Sequence, residues 1–345
     1  MFCCSETTNN PKSTTNNNTN NVHNDDTTTT TFQKNGTTLL IIDAQNDFHP
    51  GENSTLPVPN ANEDSNRIAT LIHNSLKQKQ QQEQQRTTNK KKLTIDNIVV
   101  TLDNHYKLHI AHPTFWINTK TKQYPNPFTF ITSMDIINGI WEPSPKAMKV
   151  YDNQKHLVNT SIFQNNVVLK KNGKLDLIQY CIEYTKALEE KGKFKLIIWP
   201  EHCIIGSKGN QIVPVIQNAI QSWEGIMNKT IIRITKGEDN LTEMYSALKA
   251  EVPISTKTEF NYNLFEMLNS SNKIFIVGQA KSHCVNYTMR DLVEMMEDEE
   301  RKKVYLLSDC SSLIPGFEEE TKKFENDMKA LGANVILSSD IEKYV

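Results

Sequence analysis

Short blocks of aliphatic and β-branched residues recur along this chain, each separated from the next by a stretch with apolar positions three or four residues apart. The blocks Leu39–Asp43, Ile98–Asp103, Phe194–Trp199, Ile231–Thr235, Ile274–Gly278 and Val304–Ser308 read as strands, with a weaker one at Asn334–Leu337. The helical periods fall at Glu63–Gln78, Leu175–Glu190, Ile212–Met227, Phe260–Leu268, Cys284–Met296 and Phe317–Leu331. Near-continuous apolar strands alternating with amphipathic helices predict a parallel sheet buried on both faces. The expected fold class is therefore α/β: three α/β/α layers around a central, mostly parallel sheet of about six strands. Right-handed crossovers would bring the strand ends to one edge.

Two polar tracts interrupt the pattern. Residues 1–36 form an Asn/Thr-rich tail with too little apolar surface to offset ordering entropy. Gln78 to Lys92 is rich in Gln and Lys and reads as a helix extension running into a surface insertion. Residues 37–345 are expected to form one domain. Within it, about 112–172 is an insertion whose first part carries Pro113, Pro125, Pro127, Pro143 and Pro145. Phe115, Trp116, Phe128, Phe130 and Trp141 make that part a candidate lid or oligomer contact rather than a linker.

Composition narrows the class. A net charge of -2, without alternating basic and aromatic residues, gives no footprint for nucleic acid. No apolar run reaches the roughly 18 residues of a membrane span, and Met1-Phe2-Cys3-Cys4-Ser5-Glu6 has neither the basic nor the long apolar region expected of a secretory signal. The six cysteines lack framework spacing and read as reduced thiols, so the expected compartment is the cytoplasm.

The chemistry lies at the strand ends. Cys284 follows the strand Ile274–Gly278 and a short turn, and opens a helix, where the dipole and free N–H groups favour a thiolate and can hold an oxyanion. A lone cysteine is otherwise an ordinary small core residue. Asp43 ends the first strand and Lys236 follows another, so three separate strands can deliver thiol, carboxylate and ammonium to one edge. Close to Lys236, the thiol is expected to ionise more readily than at its free pKa of roughly 8.5. Asp103 and His105 project from one turn and His202 arrives from elsewhere, an open Asp/His/His set suited to Zn²⁺, Fe²⁺ or Mn²⁺. His109, four residues after His105, is a further ligand or a substrate contact. His112, before Pro113, reads as structural, and Cys203 as core.

In these residues the chain resembles the nicotinamidase/isochorismatase-like cysteine hydrolases, over roughly residues 37 to 340. The resemblance rests on Asp43-Ala44-Gln45-Asn46-Asp47-Phe48, Leu56-Pro57-Val58-Pro59, Asp103-Asn104-His105, Trp199-Pro200-Glu201-His202-Cys203, Lys236-Gly237 and Ala280-Lys281-Ser282-His283-Cys284-Val285. It implies a catalytic triad of Asp43, Lys236 and Cys284, and a divalent metal, Zn²⁺ before Fe²⁺ or Mn²⁺, on Asp103, His105 and His202. It further implies oxyanion donors at the backbone N–H groups of Ala280 and Cys284, a cis peptide at Gln279–Ala280, and a substrate pocket walled by Phe48 and Trp199. The implied reaction is hydrolysis of a small carboxamide, foremost nicotinamide to nicotinate and ammonia in NAD salvage. The stretch from Trp116 to Trp199 exceeds the compact nicotinamidases, so a ureido, carbamoyl or other small amide is the alternative substrate. The retained cysteine disfavours the vinyl-ether hydrolases of the family, and a binding or scaffolding role would leave the triad unexplained. Expected partners are a small-molecule amide and a second copy of the chain, with neither nucleic acid nor membrane.

Overall fold

The computed structural model describes residues 32–84, 93–155, 158–159, 161, 163, 168–192 and 195–344. Ten strands occur among them: β1 (Thr37–Ile42), β2 (Asn97–Asp103), β3 (Trp116–Asn118), β4 (Phe130–Ile131), β5 (Trp141–Pro143), β6 (Leu196–Ile197), β7 (Ile232–Lys236), β8 (Lys273–Gly278), β9 (Val304–Leu307) and β10 (Asn334–Ile336). Six of these make the central sheet, in the order β10-β9-β8-β1-β2-β7, with every neighbouring pair parallel.

The helices are α1 (Ala61–Gln84), α2 (Ser133–Ile137), α3 (Pro145–Tyr151), α4 (Leu177–Lys191), α5 (Pro214–Met227), α6 (Tyr262–Asn269), α7 (Asn286–Met295), α8 (Asp298–Arg301) and α9 (Glu318–Ala330). Successive side chains of a strand point to opposite faces, and β1 shows the consequence. Leu39 and Ile41 join a core with Ile68 and Ile72 of α1 and Ile220 and Trp223 of α5. Leu40 and Ile42 join the opposite core, with residues of α4, α6, α7 and α9. Both faces are covered, which is why the strands read as continuous apolar runs rather than alternating ones. Among the described residues no helix is long and apolar enough to cross a membrane.

Two expectations are corrected. Of the run Phe194–Trp199, Phe194 lies outside the described residues and the rest is not a strand of the central sheet: Leu196–Ile197 pairs antiparallel with Phe130–Ile131 in a separate two-stranded ladder. The segment after His112 is not simply loop. It holds β3 to β5, α2 and α3, and Phe115 and Trp116 are fully buried in the core rather than in a lid. Phe128 and Phe130, by contrast, are about half exposed. The Asn/Thr-rich tail to Thr31, most of the Gln/Lys-rich insertion and Cys3-Cys4 lie outside the described residues.

The chain runs from β1 outward through β2 to β7, then returns to lay β8 on the other side of β1. Strand order therefore reverses between β1 and β8, and such a switch point leaves a crevice beyond the carboxyl ends of the strands. Asp43 follows β1 and Cys284 lies six residues past β8, so the two flank that crevice.

Candidate active site

Asp43 is the first residue beyond β1 and takes a left-handed conformation (φ 44°), one that Asp adopts more readily than most residues. Its carboxylate is fully buried, and Oδ1 accepts a 2.5 Å hydrogen bond from the hydroxyl of Thr101 on β2. Lys236, the last residue of β7, lies opposite Asp103 in the β2–β7 register. Its ammonium is the hub of the site: 2.9 Å from Asp43 Oδ2, 2.9 Å from Asp103 Oδ1 and 3.5 Å from Cys284 Sγ. Thiol and carboxylate thus converge on one ammonium, and Asp43 acts electrostatically on the Cys284 thiol.

The electrostatics differ from the sequence expectation. Burial pushes the Cys284 thiol well above its ordinary range; Lys236 opposes the shift without overcoming it, and Asp43 adds to it. Burial likewise raises the Asp43 carboxyl despite Lys236. Lys236 itself is held firmly charged, because Asp103, Asp43 and Cys284 outweigh the cost of burying it. Burial thus favours the neutral form of the thiol, with Asp43 placed to accept its proton.

Cys284 sits in a π-helical turn, Lys281–Val285, that runs into α7. The Gln279–Ala280 peptide is cis. The side chain of Gln279 fastens this turn from behind: Nε2 donates to Asp64 Oδ2 on α1 (2.9 Å) and Oε1 accepts from Ser312 N (3.3 Å). The turn closes on itself through Val285 N donating to Ala280 O. Gly278 permits the approach of β8 to β1, since a Cβ there would stand 2.0 Å from Ile42 O at a backbone φ of +111°.

On the other side of Lys236 lies the candidate metal set. Asp103 Oδ2 is 3.1 Å from both His105 Nε2 and His202 Nε2, and all three residues are buried. One carboxylate oxygen and two imidazole nitrogens converging in this way fit a divalent cation with open positions. Asp103 stays well below the usual carboxylate range: burial works against its charge, but His105 and Lys236 prevail. His105 is raised, the pull of Asp103 exceeding the burial that opposes it. Gly237 leaves room for the pair, because a Cβ there would stand 2.8 Å from His105 Cε1 and 2.9 Å from Asp103 Oδ1.

Several residues of the site were not singled out in the sequence. Gln45 clamps the Asp103 backbone, donating from Nε2 to Asp103 O (2.7 Å) and accepting from Asp103 N (2.8 Å). Asp47 Oδ2 accepts from Cys203 N (2.7 Å) and so holds the loop bearing His202. Both stand in the quoted motif around Asp43. Thr101, two residues before Asp103, shares its face of β2, a period-2 signal that points to the crevice. His112, read as structural, packs its ring against those of His105, His109 and His202.

Phe48 sets its ring 5.5 Å from that of His202, and Trp199 sets its ring 5.0 Å from His283, the neighbour of Cys284. Trp199 Nε1 donates to Tyr245 Oη (2.8 Å), and Phe128 meets Trp199 edge-on from outside. Aromatic walls therefore flank both the sulfur and the metal set. A cavity of about 300 Å³ is lined by Lys236, Gly237, Glu238, Asp239 and Thr242.

No protein-family model matches the chain. Among curated proteins, the nicotinamidase of Saccharomyces cerevisiae is 28% identical over 140 residues, 41% of this chain and 58% of that protein. The chain thus matches a little over half the length of that curated relative. Among solved structures, the yeast nicotinamidase bound to the inhibitor nicotinaldehyde superposes with a TM-score of 0.52 at 21% identity, over 87% of this chain and 99% of that one. A nicotinamidase/pyrazinamidase of Acinetobacter baumanii gives 0.51 at 18% identity, over 90% and 99%. The chain resembles the nicotinamidase/isochorismatase-like hydrolases in fold, and shares a stretch of sequence with one of them.

Proposed function

We propose that residues 37–345 form a cysteine amidohydrolase acting on a small carboxamide, with nicotinamide the foremost substrate. The observation that carries this reading is the triple approach to Lys236: Asp43, Asp103 and the Cys284 sulfur all lie within 3.5 Å of one ammonium. The shared sequence with the yeast nicotinamidase supports the choice of amide.

With the thiol neutral at rest, attack and deprotonation occur together. Asp43 takes the Cys284 proton as the S–C bond forms, while Lys236 steadies charge on the sulfur. The carbonyl oxygen becomes an oxyanion facing the backbone N–H groups of Ala280 and Cys284. Asp43 returns its proton to the nitrogen, the C–N bond breaks, and ammonia departs, leaving a thioester. Water then attacks the thioester, giving its proton to Asp43, which restores it to the leaving sulfur. Asp103, His105 and His202 would hold a divalent cation, which when bound supplies a Lewis-acid anchor for a ring nitrogen or carboxylate. Phe48 and Trp199 would sandwich or edge a flat ring between the sulfur and that anchor.

A second reading keeps the chemistry and changes the amide. The segment that sets Phe128 against Trp199 gives the outer pocket a wall of its own, through which a ureido or carbamoyl amide would be selected. A coupled ammonia-release assay across nicotinamide, pyrazinamide and small ureido amides separates the two. Preferential turnover of nicotinamide upholds the first, preference for ureido amides the second, and ammonia from none refutes both.

A further inference from the structure

Four imidazoles pack together beside the triad, and the set built on Asp103 uses only two of them. Ring centroids lie 4.4 Å apart for His105 and His109, 5.0 Å for His105 and His112, and 5.2 Å for His109 and His112. All three are fully or almost fully buried. Each imidazole brings two polar nitrogens into the core, and buried polar atoms are costly unless they find partners.

The nitrogens sort themselves by their neighbours. His109 Nε2 faces Thr242 O at 3.1 Å, and His112 Nδ1 faces Lys107 O at 3.3 Å. A carbonyl only accepts, so each of these nitrogens carries the proton and the other ring nitrogen keeps its lone pair. His112 Nε2 then has no hydrogen-bond partner among the described residues, and neither has His105 Nδ1. His109 Nδ1 accepts only from Ala111 N, at 3.2 Å. His202 shows the same pattern, with Nδ1 on Pro200 O and Nε2 turned to Asp103. An imidazole whose N–H is fixed on a backbone carbonyl presents its other nitrogen as a metal ligand in a set orientation.

One ring nitrogen from each of His105, His109 and His112 lies within 4.8 Å of the other two. A buried carboxylate stands close by as well: Glu243 acts electrostatically on His105, and its Oε2 has no hydrogen-bond partner among the described residues.

We infer that His105, His109 and His112 form a second divalent-metal site, adjacent to the Asp103–His105–His202 set and sharing His105 with it. With both sites filled, His105 would release its remaining ring proton to solvent and offer one nitrogen to each, and His109 Nδ1 would exchange the Ala111 N–H for the cation. Three imidazoles and no first-contact carboxylate select Zn²⁺, Cu²⁺ or Ni²⁺ over the oxygen-seeking Mg²⁺ and Ca²⁺. The site joins the segment from His105 to His112 to itself, close to the Thr242 loop that lines the cavity behind Lys236. It requires nothing of the hydrolase reading.

The test is the zinc stoichiometry of the full-length chain, stripped of metal, titrated with Zn²⁺ and measured by elemental analysis after gel filtration. Two equivalents are expected in the unaltered chain, falling to one in His112→Ala and to one in His202→Ala. His112→Phe, which keeps a flat ring but no ligand nitrogen, is expected to match His112→Ala with an unchanged circular dichroism spectrum. This variant decides the matter if the alanine variant unfolds. One equivalent in the unaltered chain, lost in His202→Ala and kept in His112→Phe, overturns the second site and leaves the first standing.

Discussion

The ammonium of Lys236 lies 2.9 Å from Asp103 Oδ1, so the cation of the candidate triad and the carboxylate of the candidate metal set are one buried ion pair. The register of β2 and β7 puts them side by side. Asp43 approaches the same ammonium from β1, which leaves two carboxylates dependent on a single positive charge. Removing that charge strands both. Lys236→Met is expected to cost about 3–5 kcal/mol of stability, the range for breaking a buried pair, and to abolish turnover. Urea denaturation of the variant checks the first, and unchanged stability would contradict it.

Gly237 is where the metal set has no slack. Its φ of +79° already disfavours a side chain, and an added Cβ would crowd His105 and Asp103. Gly237→Ala should weaken Zn²⁺ binding by about 10–100-fold, the effect typical of disturbing the support of a ligand. Calorimetric titration measures it, and an unaltered affinity would show that the ligands can shift.

Asp64 acts on the reaction at one remove, through the Gln279 amide that fastens the turn before Cys284. Asp64→Ala leaves a buried donor unsatisfied, at about 1–3 kcal/mol, and loosens the oxyanion donors. The expected result is a fall in kcat with KM little changed. A change in KM alone would place the role of Asp64 in substrate binding.

His283 gives the fold a definite acid sensitivity. Burial pushes its imidazole from 6.5 down to about 3, so the folded chain resists protonation while the unfolded chain accepts it. Stability from this group is complete above pH 6.5 and declines as pH falls towards 3. At pH 5 the loss is about 2 kcal/mol, one and a half units at 1.36 kcal/mol each. Denaturation at pH 7.5 and pH 5 should show a drop in the unaltered chain that is smaller by this amount in His283→Leu. Equal drops would contradict the assignment.

Much of this architecture is legible in the letters, and the exceptions have physical causes. Runs such as Leu39–Asp43 and Ile274–Gly278 declare themselves because strands buried on both faces must be apolar throughout. Phe194–Trp199 has the same look, yet a short apolar run does not specify which sheet it joins. Asp43, Lys236 and Cys284 could be brought together because the first two end or directly follow such a run and the third comes one short turn after another. The ionisation of Cys284 could not be read, since nearness to Lys236 argues one way and burial the other, and depth of burial is a tertiary quantity. His112 shows only its neighbour Pro113 in the sequence, while its packing against His105, His109 and His202 depends on how separate loops fold together.

The central claim, that the Cys284 sulfur attacks while Asp43 takes its proton, is met most directly by intact-protein mass spectrometry of acid-quenched turnover with nicotinamide. The account predicts a nicotinoyl thioester that maps to Cys284 and is missing in Cys284→Ala, whose ammonia release vanishes while its fold and metal content persist. Undiminished ammonia release by Cys284→Ala would contradict it.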